Sequence, residues 1–93
     1  MLFSLQNELV RDPELGDLMQ GCAGARKARV GDRTTARGKS GGFRYVYVYI
    51  EIAGTIYLIH FFGKNEKANL SKAERNELAK LVKILKGLYG EKN

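Results

Sequence analysis

Lys27, Arg29, Arg44 and Lys64 are the residues of this 93-residue chain whose types and spacing could do chemistry. Lys27 and Arg29 alternate within the run 25–30, Arg44 opens the run 43–52, and Lys64 follows the run 55–62. If these runs are neighbouring strands, the four cations converge at one end of a sheet. Such a cluster can hold an RNA backbone and stabilise the added negative charge of a pentacoordinate phosphorane. Arginine's planar fork matches phosphate oxygens, and a lysine crowded by cations can serve as a base, because neighbouring positive charge disfavours its protonated form. Cleavage through a 2′-hydroxyl brings its own nucleophile, so this chemistry calls for no metal and no cofactor.

The distribution of charge points the same way. The chain carries a net +6, and the window 26–44 holds Arg26, Lys27, Arg29, Arg33, Arg37, Lys39 and Arg44 against Asp32 alone. That window accounts for the whole surplus. A focused patch suits phosphate, since neutralising a polyanion releases its counterions. The plainer alternative is a solvated basic loop with no ligand.

Other chemistries lack their parts. Gly38-Lys39-Ser40 resembles the end of a phosphate-binding loop, but Arg33 stands where that motif needs glycine, and a strand follows rather than a helix. His60 is the only histidine and lies in a strand-like run with Ile56, Leu58 and Phe62, which suits a half-buried structural role. Cys22 is the only cysteine, so neither an internal disulfide nor a cysteine–histidine zinc site can form. Glu66, Glu74 and Glu77 suit helix capping and helix surface. Tyr45, Tyr47 and Tyr49 could stack on bases, although alternating strand aromatics more often pack a core.

Several elements must position these residues. Leu2, Leu5 and Leu9 recur at helical spacing, with Phe3 and Val10 beside them, and Asp12-Pro13 ends that helix. Leu15, Leu18 and Met19 predict a short helical turn capped by Asp12, closed by Gly21 and Gly24. A strand over 25–30 follows, then a glycine-rich basic loop over 31–42. The run 43–52 alternates Phe43, Tyr45, Tyr47 and Tyr49 with Arg44, Val46, Val48 and Ile50, which predicts a strand. Ala53-Gly54 turns it into a hairpin partner over 55–62, whose two apolar faces suggest a central strand. Ser71 and Glu74 form a capping box for a last helix with a stripe of Leu78, Leu81, Val82, Leu85 and Leu88. Lys80, Lys83 and Lys86 fall largely on its other surfaces. The sum is a small α+β domain: a three-stranded, largely antiparallel sheet packed with N-terminal and C-terminal helices.

Length implies a single domain spanning 1–93. The longest apolar stretch, 55–63, is too short to span a bilayer, and the N-terminus lacks a basic leader, so a cytoplasmic location without membrane contact is expected.

The motifs Pro13-Glu14-Leu15-Gly16-Asp17-Leu18-Met19-Gln20-Gly21, Ala25-Arg26-Lys27-Ala28-Arg29-Val30, Gly38-Lys39-Ser40-Gly41-Gly42-Phe43-Arg44 and Gly63-Lys64-Asn65-Glu66 occur in order, followed by Leu70-Ser71. Over residues 5–86 this resembles the RelE/HigB-type toxins of bacterial type II toxin–antitoxin systems, most closely the HigB-like branch. The resemblance implies a microbial RNase-type fold with four or more strands and ribosome-dependent cleavage of mRNA. It places the site at Lys27, Arg29, Arg44 and Lys64, with Arg26, Arg37 and Lys39 as further RNA contacts; Arg33 joins them by its place in the basic loop. It implies an antitoxin, commonly of helix-turn-helix type, with operator DNA reached only through that antitoxin. RelE has a second basic residue and a tyrosine where this chain has Asn65 and Ser71. Family members also begin with a β-strand, whereas this chain starts within the following helix. An exposed sheet edge, favouring a homodimer, is then expected. Two other readings share the fold: a catalytically inactive RNA- or ribosome-binding remnant, and a ParE-like gyrase inhibitor.

Overall fold

A computed structural model describes residues 2–29, 43–62 and 70–90, with side chains from Gln6 onward. Helix α1 (Leu2–Arg11) leads to strands β1 (Asp17–Leu18), β2 (Arg26–Arg29), β3 (Arg44–Ile50) and β4 (Thr55–Phe62), and helix α2 (Lys72–Leu88) follows. The four strands pair antiparallel in the order β1-β2-β3-β4. The α+β class with helices packed on an antiparallel sheet is as expected; the strand added to the expected three is β1.

Strand β3 is the centre of the molecule. Its alternate residues feed two apolar clusters, as its tyrosine/valine alternation predicts. Val46, Val48 and Ile50 pack with Phe62 and with Leu78 and Val82 of α2, whereas Tyr45 and Tyr47 pack with Leu9 of α1 and with Ala28. The side chains of Leu2, Phe3 and Leu5 lie outside the described ones, and Val10 is exposed.

Residues 15–19 do not form the expected helical turn. Asp12 does cap a turn, its Oδ1 accepting from the Glu14 amide at 3.2 Å, but the chain then enters β1. Leu15 joins the cluster beneath α1 and Met19 the cluster beneath α2, so a spacing that reads as one helical face serves two faces of a sheet. The Met19 amide donates to the Ala25 carbonyl at 2.9 Å and closes the β1–β2 connection, within which Gly21 and Gly24 take positive φ as expected. Ala23 shares that left-handed region, and its carbonyl accepts from Lys86 Nζ at 2.9 Å, tying α2 to this connection.

Gly16 is fixed by its neighbours. A Cβ there would lie 2.8 Å from the Lys27 carbonyl oxygen and 3.0 Å from Tyr47 Cε1. Gly16→Ala is therefore expected to push β1 off β2, costing about 1–3 kcal/mol. Thermal unfolding by circular dichroism checks this, at roughly 4–8 °C per kcal/mol for a domain of this size.

The β3–β4 hairpin forms with Thr55–Phe62 as its second strand, connected by a 3₁₀ turn (Glu51–Ala53) and the left-handed Gly54. Strand β4 is nevertheless an edge strand among the described residues, not a central one. Both helices cover β3, leaving Leu58 and Phe61 of β4 each 40% exposed on the face they share with Tyr45 and Tyr47. Register also departs from simple alternation. Val46 pairs with His60 but Tyr47 with Leu58, so Ile59 bulges and the face of β4 switches there.

The capping box of α2 is present: the Glu74 amide donates to Ser71 Oγ and the Ser71 amide to Glu74 Oε1. The buried stripe is narrower than expected. Leu78 and Val82 are buried and Leu85 partly so, whereas Leu81 and Leu88 face solvent because the narrow sheet covers only one side of the helix. Lys86 is half-buried through its bond to Ala23, unlike the exposed Lys80 and Lys83.

Candidate nucleic-acid interface

Strand register decides which cations meet. Arg29 lies directly opposite Arg44, which lies opposite Phe62; two residues along, Asp17, Lys27, Val46 and His60 form the next row on the same face of the sheet. Directly paired residues share a face, and Val46 and Phe62 belong to the α2 cluster. Lys27, Arg29 and Arg44 therefore all project on the α2 side. They line one open depression of ≈ 250 Å³ together with Asp17 and Ala28. Arg29 is exposed, and Lys27 and Arg44 are half-buried.

The pairing of Arg29 with Arg44 is informative in itself. Like charges directly opposite on adjacent strands destabilise a sheet, by a few tenths of a kcal/mol to about 1 kcal/mol. A purely structural surface gains nothing from that placement. An anion with oxygens on two sides gains two guanidinium forks at once.

The remaining sequence candidates divide. Lys64 and the loop residues Arg33, Arg37 and Lys39 lie outside the described residues. Arg26 projects on the opposite side of β2 from Lys27. Its Nη1 donates to the carbonyls of Gly16 at 2.7 Å and Glu14 at 3.3 Å, so it braces the chain entering β1 rather than joining the depression. Tyr45 and Tyr47 are fully buried and unavailable for base stacking. The Tyr47 hydroxyl accepts from the Gly16 amide at 2.9 Å and donates to the Pro13 carbonyl at 2.7 Å, and burial pushes its pKa up.

His60 is exposed, not half-buried, and the bulge separates it from Ile56 and Leu58. It lies on the cationic face, its ring 4.4 Å from that of Phe62 in an edge-on contact, but outside the lining of the depression. The Ser71 hydrogen bonds and, more weakly, electrostatic interaction with His60 hold the Glu74 carboxyl below the usual range. Cys22 is buried; desolvation raises its thiol pKa, against a weaker opposing pull from Arg75, and this disfavours the thiolate.

Two residues of the interface escape sequence reading. Asp17 enters through β1, which the helical spacing of its neighbours conceals. Arg75, in the first turn of α2, lines a second depression that also contains Asp17 and Lys27. No local signal distinguishes it from any other exposed helix cation.

A small α+β domain whose antiparallel sheet gathers two arginines and a lysine on one face presents a surface suited to an anion. Residues 12–92 match the family described as the RelE toxin of the RelE/RelB toxin–antitoxin system, and the chain belongs to that family. It is accordingly a toxin whose partner is an antitoxin. No helix among the described residues is long and apolar enough to cross a membrane.

Proposed function

We propose that this toxin is a metal-independent, ribosome-dependent mRNA endonuclease that arrests translation. The observation that carries the reading is the convergence of Lys27, Arg29 and Arg44 around one depression. The substrate's 2′-oxygen attacks the adjacent phosphorus and loses its proton to a base. The P–O5′ bond then breaks and the 5′-oxygen is protonated, leaving a 2′,3′-cyclic phosphate and a 5′-hydroxyl. Arg29 and Arg44 would hold the non-bridging oxygens as charge builds on them. Proton transfer falls to Lys27 and, after β4, Lys64. The antitoxin would be of helix-turn-helix type, carrying the toxin to operator DNA.

Induction from a tightly controlled promoter, with mRNA 5′ ends mapped, tests this. Growth arrest with new 5′ ends inside translated messages is expected, and co-expressed antitoxin should suppress both. Folded protein without arrest or cleavage would overturn the reading. Arrest with DNA damage and intact messages would instead identify a gyrase poison.

Arg33, Arg37 and Lys39 would contact the RNA backbone more distantly. Replacing all three by glutamine is expected to lower the slope of log affinity against log salt by about 2, at roughly 0.7 per phosphate contact for single strands. Cleavage of bound RNA should persist.

The edge of β4 would serve a homodimer, pairing two copies antiparallel about a two-fold axis. Its segment 55–62 contains no acidic or basic residue besides His60, and Leu58 and Phe61 are exposed on it. Leu58→Lys should shift sedimentation from dimer to monomer, as edge lysines do. A parent chain that sediments as a monomer at every concentration would exclude this dimer.

A further inference from the structure

We propose that the depression lined by Lys27, Arg29 and Arg44 also binds terminal phosphates, the phosphomonoesters of free nucleotides and of RNA ends, and that these compete with the substrate. The inference rests on the reading of that depression as a site for RNA phosphate. Its ionisable lining is Lys27, Arg29 and Arg44 against Asp17, a formal net charge of +2. A phosphodiester link carries one negative charge and leaves half of that surplus unmatched. The phosphorane formed when a 2′-oxyanion attacks it carries two. A site that favours the phosphorane over the diester is therefore matched to a dianion. A phosphomonoester is such a dianion at rest near neutral pH, because its second pKa is about 6.

Shape adds to charge. Arg29 and Arg44 lie directly opposite each other on β2 and β3 and border the same depression, so two planar forks serve one anion. Neither guanidinium forms an ion pair among the described residues. A diester offers the two forks only two non-bridging oxygens, since its other two are esterified. A monoester offers three and attaches to the rest of its ligand at a single corner. The contact reads charge and oxygen count, not the identity of a base. The charged groups facing such a ligand are Asp17 from β1, Lys27 and Arg29 from β2, and Arg44 from β3. His60 of β4 and Glu74 and Arg75 of α2 lie outside that lining. Opening of a cyclic phosphate by water supplies a terminal phosphate on RNA, and free nucleotides carry one already.

Competition against a fluorescent 2′-O-methyl RNA hexamer, which cannot be cleaved, tests the proposal on the full chain at constant ionic strength. The first competitors are 2′-deoxyadenosine 3′-phosphate and its methyl ester, which share base and sugar and differ by one charge. At about pH 7.5 the monoester should displace the hexamer at roughly 10- to 100-fold lower concentration, the worth of one further hydrogen bond to a charged group. At about pH 5, below the monoester's second pKa of about 6, that advantage should largely vanish. Inorganic sulfate, dianionic at both, should compete equally at the two pH values, because the ligand and not the protein titrates. Arg29→Gln and Arg44→Gln should each reduce the advantage. Lys83→Gln removes the same charge from an exposed position on α2 and should keep it. A second pair, hexamers ending in a 3′-phosphate or in its methyl ester, separates the sources. An advantage in both pairs identifies free nucleotides as ligands, and one confined to the hexamers identifies the cut RNA end. No advantage in either pair overturns the proposal and leaves the RNA phosphate site standing. An advantage that survives undiminished in both arginine variants overturns it as well. Failure of the fluorescent hexamer to bind the parent chain overturns the phosphate site, and the proposal with it.

Discussion

Arg44→Ala is expected to abolish growth arrest and to lower RNA cleavage by about 10²–10³, the effect of removing one preorganised charge-stabilising donor. Arg44 opens the central strand, with Arg29 directly across from it on one side and Phe62 on the other. It is half-buried and borders the depression. A guanidinium so placed would need little reorganisation as charge built up on a phosphorane. Arg44→Lys keeps the charge but loses the fork, so intermediate activity is expected. His60→Ala is the matched control: it removes a titratable side chain from the same face without touching the depression, and should leave arrest nearly intact. Measured cleavage rates on a translated message, with melting curves to confirm folding, decide the matter. Undiminished toxicity of Arg44→Ala would refute the proposed site.

Tyr47→Phe should be the most damaging conservative change to stability. It removes a single oxygen, yet that fully buried hydroxyl joins the Gly16 amide to the Pro13 carbonyl, 31 and 34 residues away in sequence. Phenylalanine fills the same space and leaves the two backbone groups without this partner. Losing both bonds costs about 2–4 kcal/mol, because stranded polar groups retain their desolvation penalty. Small domains are stable by only about 5–15 kcal/mol. A fall in melting temperature of roughly 10–25 °C is expected. The segment released is the one that delivers Asp17 to Lys27, so hydrogen exchange at 13–18 should rise as well. Tyr49→Phe, at a half-buried position of the same strand, is the comparison. Equal melting of the two variants would show that the Tyr47 hydroxyl does not hold β1.

Much of this architecture is legible in the residues. Alternating tyrosine and valine in 43–52 defines a strand with two packed faces, and the Ser71–Glu74 pair marks the start of α2, because both signals act within a few residues. The sites where reading fails depend on distant contacts. Leu15 and Met19 have helical spacing, yet each is claimed by a different face of the sheet. The bulge at Ile59 reverses which side His60 faces, and nothing in a run of apolar residues announces it. The apolarity of β4 suggests interior burial, whereas its place in the sheet is set by which neighbours it finds. For the site, Lys27, Arg29 and Arg44 stand out because charge is concentrated around them, and register then brings them together. Arg26 has the same charge and an adjacent position, but strand alternation sends it to the other side. Arg75 becomes visible only once α2 is packed across the sheet.

The opposition of Arg29 and Arg44 also has a thermodynamic meaning. Folding forces the two guanidinium groups together, a cost that the unfolded chain does not carry. A polyanion spanning both removes that cost, and it stabilises the folded form by RT ln(1 + [L]/Kd) when it binds only that form. Occupancy and folding thus become one linked equilibrium. On this account a bound polyanion that neutralises the pair would also prolong the life of the fold.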